Sequence, residues 1–245
     1  HQALSWYRRA CFAEAPVPHV RLGGRASALS LIQIREAVEM LRVLWPQVRF
    51  SIVTVDTPGD RDKVTPLWQV EEDDFFTRDL DVALTEGRID VAVHSAKDLP
   101  ARIPDGLAVG ALTPTFAPWE CLIARGAGVS LAALPSGARG GTSSERRRQR
   151  LLELRADLTP CDVRGDVPQR LAQLKQGKYD ALIAAAAGLI RLGLQDSISH
   201  VFSLRDFPPA PGQGSLALVI RRNDLEARRL VEPVDLGDKE GLPWA

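Results

Sequence analysis

The chain has 245 residues, 45% of them hydrophobic, enough to build one large domain or two small ones around real cores. Its 31 Lys and Arg residues balance 31 Asp and Glu residues, so no net field draws it to nucleic acid or an anionic membrane, and no apolar run is long enough to span a membrane. The three cysteines, Cys11, Cys121 and Cys161, are odd in number and match no metal-ligand spacing, so no metal site is expected and a reducing, cytoplasmic setting is the simplest reading.

Residues 1–18 read as a loosely attached N-terminal extension, because Arg8 and Arg9 are not followed by the apolar core of a signal peptide. Val20-Arg-Leu-Gly-Gly is a short strand ending on glycines. A helix follows, with Leu29, Ile32, Ile34, Val38, Leu41 and Leu44 spaced for a buried face, and Pro46 closes it. Residues 48–55 alternate as a strand, a polar loop starts at Asp56, an amphipathic helix covers 75–86, and Gly87 stops it before a strand at 89–94. Strands at 107–112 and 121–124 flank Pro114 and Pro118, a chain crossing. Then come a helix at 143–155, a strand at 159–163, a helix at 167–176, a strand at 179–185 and a short helix at 186–192. Pro208-Pro-Ala-Pro-Gly-Gln-Gly is a second, stiff crossing into a final strand at 215–220. This alternation predicts two α/β lobes with a cleft between them: residues 19–113 with 210–230, and residues 114–209. The tail at 231–245, with Pro233, Gly237, Gly241 and Pro243, is expected to fray.

Chemistry concentrates at strand ends. In Val91-Ala-Val-His-Ser-Ala-Lys-Asp-Leu-Pro100 an apolar strand delivers Ser95, Lys97 and Asp98 to its C-terminal edge, where α/β proteins place their ligands. Gly140-Gly-Thr-Ser-Ser-Glu-Arg-Arg-Arg joins a strand to a helix start. Thr142 and Glu145 there have capping-box spacing. Ser143 and Ser144 stand beside the free N–H groups of that turn. Arg146 and Arg147 oppose the helix dipole, which implies that an anion completes the site, whereas Arg148 and Arg150 suit a solvated face. The pattern recurs at Val163-Arg-Gly-Asp-Val-Pro-Gln-Arg, where Gly165 turns the chain between Arg164 and Arg170, and again at Gly24-Arg25-Ala-Ser27. Arg25, Arg146, Arg147, Arg164 and Arg170 would then line one cleft suited to a ligand with several carboxylates. Asp98, the lone acid among them, is either a plain ion-pair partner or a group that protonates a leaving group or steadies a transient cation.

These segments, in this order, resemble the porphobilinogen deaminase (hydroxymethylbilane synthase) family. Arg21-Leu-Gly-Gly-Arg-Ala-Ser-Ala-Leu is similar to the family's R-I-G-T-R-x-S-x-L, and residues 90–100 follow D-x-A-V-H-S-x-K-D-L-P almost letter for letter. Gly141-Thr-Ser-Ser-Glu-Arg-Arg resembles G-T-S-S-L-R-R, and Arg164-Gly-Asp-Val-Pro-Gln-Arg-Leu resembles R-G-N-V-x-T-R-L. Tyr179-Asp-Ala-Leu-Ile, Ala187-Gly-Leu-Ile-Arg-Leu-Gly and Pro211-Gly-Gln-Gly complete a match over roughly residues 19 to 222. The resemblance implies two lobes of the type II periplasmic-binding-protein kind and a transferase that removes ammonia from porphobilinogen to give an azafulvene, which a growing pyrrole chain attacks. It assigns Asp98 as the catalytic carboxylate with Lys97 beside it. Arg25, Ser27, Ser95, Thr142, Ser143, Ser144, Arg146, Arg147, Arg164, Gly165 and Arg170 would hold acetate and propionate groups.

The departures from the family pattern matter equally. The family's third domain, whose cysteine carries a dipyrromethane primer as a thioether, has no counterpart here. No cysteine follows Cys161, so covalent primer attachment is not expected unless Cys161 substitutes. Val70-Glu-Glu-Asp-Asp-Phe-Phe-Thr-Arg puts four acids where the family has a flexible G-G-K-G-L-F-x-K, leaving Arg78 as the retained basic position. Asp166 replaces Asn, and Thr115-Phe-Ala-Pro-Trp-Glu-Cys replaces E-D-P-R-D-A. Two readings follow. One is a tetrapyrrole-type transferase that activates an aminomethylpyrrole and passes it to a pyrrole or another acceptor, with a partner protein as one source of that acceptor. The other is a non-catalytic binding or sensor protein for a pyrrole or other polycarboxylate. Nucleic-acid binding through residues 146–150 is disfavoured by zero net charge and by the lack of interleaved aromatics.

Overall fold

The computed structural model describes residues 18–57, 77–126 and 128–244; the Glu71–Asp74 acidic run and most of the N-terminal extension lie outside these. Two five-stranded mixed sheets organise the chain. The first contains β1 (His19–Arg25), β2 (Arg49–Val55), β3 (Val91–Ser95), β4 (Leu107–Leu112) and, from the end of the chain, β10 (Leu216–Arg221), in the order β2-β1-β3-β10-β4. The second contains β5 (Glu120–Ala124), β6 (Arg139–Gly141), β7 (Thr159–Cys161), β8 (Ala181–Ala185) and β9 (His200–Val201), in the order β7-β6-β8-β5-β9.

The sheets share a plan. Each has three parallel strands, β2-β1-β3 and β7-β6-β8, completed by an antiparallel strand that comes straight off a crossing: β10 beside β3, and β5 beside β8. In both, the strand order reverses beside the first strand of the trio, β1 or β6. The C-terminal ends of β1 and β3, and of β6 and β8, are therefore the places where the connecting loops diverge and leave a crevice. The predicted α/β architecture stands, with most strand and helix limits shifted by one to three residues.

Helices cover the sheet faces. α1 (Ala28–Leu44) starts at Ser27, whose Oγ accepts from Ser30 N at 3.3 Å. It buries Ile34, Ala37, Val38 and Leu41 against Leu22, Val91 and Leu218. Its buried stripe also holds the polar Ser30 and Gln33, while Leu29 and Ile32 are only half-buried. α2 (Arg78–Thr85) covers the opposite face with Leu80, Ala83 and Leu84. In the second sheet, α3 (Glu145–Leu154) packs Leu151 against Leu122 and Ile183, and α4 (Val167–Lys175) lies over the other face with Leu174 beside Ile123 and Leu182. A short α5 (Ala186–Arg191) follows β8 directly.

The expectation of a fraying tail is wrong. α6 (Leu225–Val231) is capped by Asp224, whose carboxylate accepts from Ala227 N at 2.9 Å. It is followed by a 3-10 turn at Glu232–Val234, and Ala227, Leu230, Val231 and Val234 join the core of the first sheet. Within 231–245 itself, Val234 joins that core and Leu242 packs into a second cluster, so the prolines and glycines there shape a packed strap rather than a loose end.

Candidate active site

At the first sheet, β1 ends at Arg25 and β3 at Ser95, side by side. Arg25, Ser27, Ser30, Gln33, Thr77, His94, Ser95 and Asp98 line a cavity of about 70 Å3. Gln33 Nε2 donates to Ser95 Oγ at 2.8 Å, so the two polar residues on the inner face of α1 serve this cavity rather than the core. His94 is buried at the cavity wall, and its Nε2 has no hydrogen-bond partner among the described residues. Burial, with a smaller push from Arg25, lowers its pKa to about 4, so His94 is a neutral imidazole at physiological pH.

The chain then turns through a single 3-10 turn, Ala96–Asp98. Lys97 points inward, with Nζ donating to Gln213 Oε1 at 3.3 Å. Burial and the neighbouring Arg147 push its ammonium down to about 8, against the pull of Asp98 and Glu120. Asp98 is exposed, and its carboxylate has no hydrogen bond or ion pair among the described residues.

Across the crevice stands the start of α3. Ser144 is its N-cap, accepting from Arg147 N at 3.4 Å. The capping box expected between Thr142 and Glu145 does not form. Thr142 is buried and its Oγ1 instead accepts from Ser144 N at 3.2 Å, while Ser143 Oγ donates to Val163 O. All three hydroxyls are thus engaged with backbone, which fixes the loop and points its N–H groups. The anion inferred from Arg146 and Arg147 is supplied in part by the protein itself. Arg147 reaches Glu120 Oε2 through Nε at 3.0 Å and Nη2 at 2.8 Å, and Arg146 bonds Glu120 Oε1 and Pro208 O. Burial pushes the Glu120 carboxyl up, but Arg147 and Arg146 outweigh that and hold it below the usual carboxylate value.

Gln213 ties the halves together. Its Oε1 accepts from both Lys97 Nζ and Arg147 Nη2 (3.4 Å), and its Nε2 donates to Pro118 O at 2.6 Å. One buried amide therefore touches the turn of the first sheet, the first helix of the second and the opposite crossing. Neither Glu120 nor Gln213 was singled out from sequence. Glu120 sits within the departing segment 115–121 and Gln213 within the Pro-Gly-Gln-Gly motif, and those were their only signals.

Gly165 bends the chain at φ +96°, where a Cβ would also lie 2.6 Å from Gln169 Oε1. Arg170 Nε donates back to Gly165 O at 2.7 Å. Burial and the nearby Arg147 and Arg164 push its guanidinium down to about 10, opposed by Asp166 and Asp98. Arg147, Arg164, Arg170, Lys97 and Asp98 thus act on one another across the crevice. Arg148 and Arg150 turn away to Asp162 and Glu153, both at 2.6 Å, and are half-buried rather than solvated, each also donating to a backbone carbonyl, of Pro160 and Asp206 respectively.

A family profile described as "Porphobilinogen deaminase, dipyromethane cofactor binding domain" matches residues 20–229. This chain belongs to the porphobilinogen deaminase family. A relative from Roseiflexus sp. (strain RS-1) named porphobilinogen deaminase is 42% identical over 214 residues, covering 87% of this chain and 70% of that protein. Another of that name from Thermus thermophilus is 43% identical, covering 86% and 68%. Among solved structures, the Bordetella pertussis BvgS VFT2 domain superposes with a TM-score of 0.51 at 16% identity, covering 96% of this chain and 91% of that one. A Bacillus subtilis chain described as a probable amino-acid ABC transporter extracellular-binding protein gives 0.51 at 12% identity, covering 89% and 90%. At such identities these likenesses speak to fold: a deaminase-family chain built as a two-sheet, type II periplasmic-binding-protein fold.

Membership implies a dipyrromethane group, and the donor set suits its carboxylates. Arg25 and Ser27 lie beside the small cavity, and the half-buried cations Lys97, Arg164 and Arg170 face Asp98's side of the crevice. The described cysteines suit a thioether poorly. Cys121 is fully buried and its thiol is pushed up to about 12 by burial and Glu120. Cys161 is half-buried, also raised by burial, and its Sγ faces Thr159 O at 3.5 Å.

Proposed function

We propose that this chain is a porphobilinogen deaminase-type transferase that activates an aminomethylpyrrole by loss of ammonia and passes the activated unit to a pyrrole or similar acceptor. The observation that carries the reading is Asp98: an exposed carboxylate, unpaired by any described residue, facing Lys97 and Arg170, whereas Glu120 is consumed by two arginines. A cleft this cationic recruits the substrate's acetate and propionate groups. A free carboxylate within it then suits a reaction that passes through cations.

In this reading the substrate's ammonium departs with the C–N bonding pair as ammonia, drawn out by the pyrrole nitrogen's electron density. Asp98 stabilises the positive charge left on the pyrrole and methylene carbon. An acceptor pyrrole carbon attacks that methylene, a C–C bond forms, and the attacking carbon then loses its own proton, restoring both aromatic rings. Arg25 with Ser27, and Arg147, Arg164 and Arg170 with Lys97, hold the side-chain carboxylates. A dipyrromethane primer, when held, would supply the acceptor ring. We propose that this chain holds it without a thioether to Cys121 or Cys161, or takes its acceptor from a partner protein. A reducing, cytoplasmic setting belongs to the same reading, supported by the free Cys121 and Cys161.

The competing reading, a binding protein for a polycarboxylate, is favoured by the extracellular binding-protein likeness of the fold. Intact mass and free ammonia, measured after mixing the purified chain with porphobilinogen, separate the two. Ammonia release supports the transferase, and added pyrrole-unit mass reveals an anchor. Tight binding with neither ammonia nor adduct would overturn it in favour of the binder.

A further inference from the structure

The family match ends at residue 229, yet the segment beyond it packs directly behind the turn that carries Asp98. It is fastened to the edge strand β4 first. Asp235 Oδ1 accepts from Leu112 N at 2.9 Å, and the N–H groups of Leu236 and Gly237 donate to Leu112 O at 3.0 and 2.7 Å. Gly237 lies so flat on the strand that a Cβ would sit 2.5 Å from Thr113 O and 2.6 Å from Leu112 Cγ. Lys239 Nζ then bonds Asp235 Oδ2 at 2.6 Å, and Leu242 N donates to Lys239 O at 3.2 Å, which turns the chain back over the sheet.

The turn delivers Leu242, 8% exposed, into a small cluster with Ala96, Leu112 and Ala217, edged by Leu99 and Trp244. Ala96 is the first residue of the 3-10 turn that presents Lys97 and Asp98. Gly212 meets the same spot from the other side: a Cβ on it would stand 3.0 Å from Ala96 Cβ and 3.2 Å from Leu242 Cδ2. Gly212 adjoins Gln213, the amide that holds Lys97 and Arg147. One leucine from outside the matched region thus touches the carriers of both groups that set the site.

We propose that Leu242 is a positioning residue, holding Lys97 and Asp98 in place through Ala96, and Gln213 through Gly212. The backbone bonds of the 3-10 turn are few, Ala96 N to Ser215 O at 3.0 Å and Leu99 N to Ala96 O at 3.3 Å, so side-chain packing must supply the rest of its rigidity. Truncating a packed leucine leaves a void that only partly collapses, and here the void would open beneath the Asp98 turn. The catalytic consequence rests on the transferase reading above; the structural consequence does not.

The test uses the full chain with Leu242→Ala, Leu242→Met as the conservative variant, and Leu236→Ala as a control whose side chain is exposed on the same strap. Amide hydrogen exchange is followed over residues 94–99 and 211–216, together with kcat and KM for ammonia release from porphobilinogen. The expected result for Leu242→Ala is exchange about tenfold faster in those two segments alone, and kcat about tenfold lower with KM nearly unchanged. Leu242→Met should restore most of both, and Leu236→Ala should match the wild type. Unchanged exchange in both segments would overturn the proposal, as would loosening spread evenly through the first sheet or a loss that Leu242→Met fails to rescue. If the wild-type chain releases no ammonia, the transferase reading fails on its own and the exchange pattern still decides the role of Leu242.

Discussion

Arg191 and Glu36 form a two-donor ion pair between the sheets' helices, with Arg191 Nε and Nη2 of α5 reaching Glu36 Oε2 and Oε1 of α1 at 2.7 and 3.0 Å. Arg191, its side chain only 6% exposed, also donates to Gly214 O at 3.1 Å and lies 5.4 Å from the Phe116 ring. One guanidinium therefore binds a helix of the first sheet and both crossings. Glu36 is partly solvated, so its half of the pair is screened, and Glu36→Gln, whose amide oxygen still accepts from Arg191, should cost at most about 1 kcal/mol. Arg191→Met, which removes the buried fork from all its partners, should cost about 3–5 kcal/mol. Urea unfolding of the two variants checks this, and equal small losses would show that the clasp does not join the sheets.

Glu120 is the acid that permits Arg146 and Arg147 to sit together at a helix start. Glu120→Ala leaves both guanidiniums without their shared partner, an expected loss of about 3–5 kcal/mol in urea unfolding at neutral pH. Because its carboxyl is held below its ordinary value in the fold, the wild-type contribution is present above the unfolded-state pKa. It is lost as pH falls through the folded one. The penalty of Glu120→Ala should therefore shrink in acid.

His94 gives a separate acid limb. Its pKa is about 4 in the fold against 6.5 unfolded, so the unfolded chain takes up a proton first. Stability from this group is complete above pH 6.5 and falls away between 6.5 and 4, by about 3 kcal/mol. Unfolding free energies at several pH values should show this slope in the wild type and lose it in His94→Gln.

Lys97 governs the alkaline side of ligand binding. With its ammonium near 8, affinity for a carboxylate-bearing pyrrole should fall as pH rises through that value. Lys97→Arg, charged throughout, should flatten the profile. Calorimetric titration with porphobilinogen from pH 6.5 to 9.5 checks this, and a flat wild-type profile would remove Lys97 from carboxylate binding.

What the sequence made legible was local. The apolar run into Ser95-Ala-Lys-Asp98 marked a strand end, and Gly165 marked a turn, because both signals lie within a few neighbouring residues. The Ser27 cap was local too. Glu120 and Gln213 were missed because their partners stand 26 to 116 residues away, and nothing at their own positions announces a buried charge or a three-way amide. Thr142 misled for the opposite reason: its spacing to Glu145 fits a capping box, yet the helix begins two residues later and Ser144 takes the cap. In the tail, Gly237 reads as a breaker by its type, yet it lies flat against β4.

The central claim is that Asp98 drives loss of ammonia in a cleft whose cations bind the carboxylates. Its most direct test is the rate of ammonia release from porphobilinogen by wild type and Asp98→Asn, with the Kd of each measured by calorimetry. The account predicts a rate at least about 100-fold lower in Asp98→Asn with affinity changed little. An undiminished rate in Asp98→Asn, or a wild type that binds porphobilinogen and releases no ammonia, would contradict it.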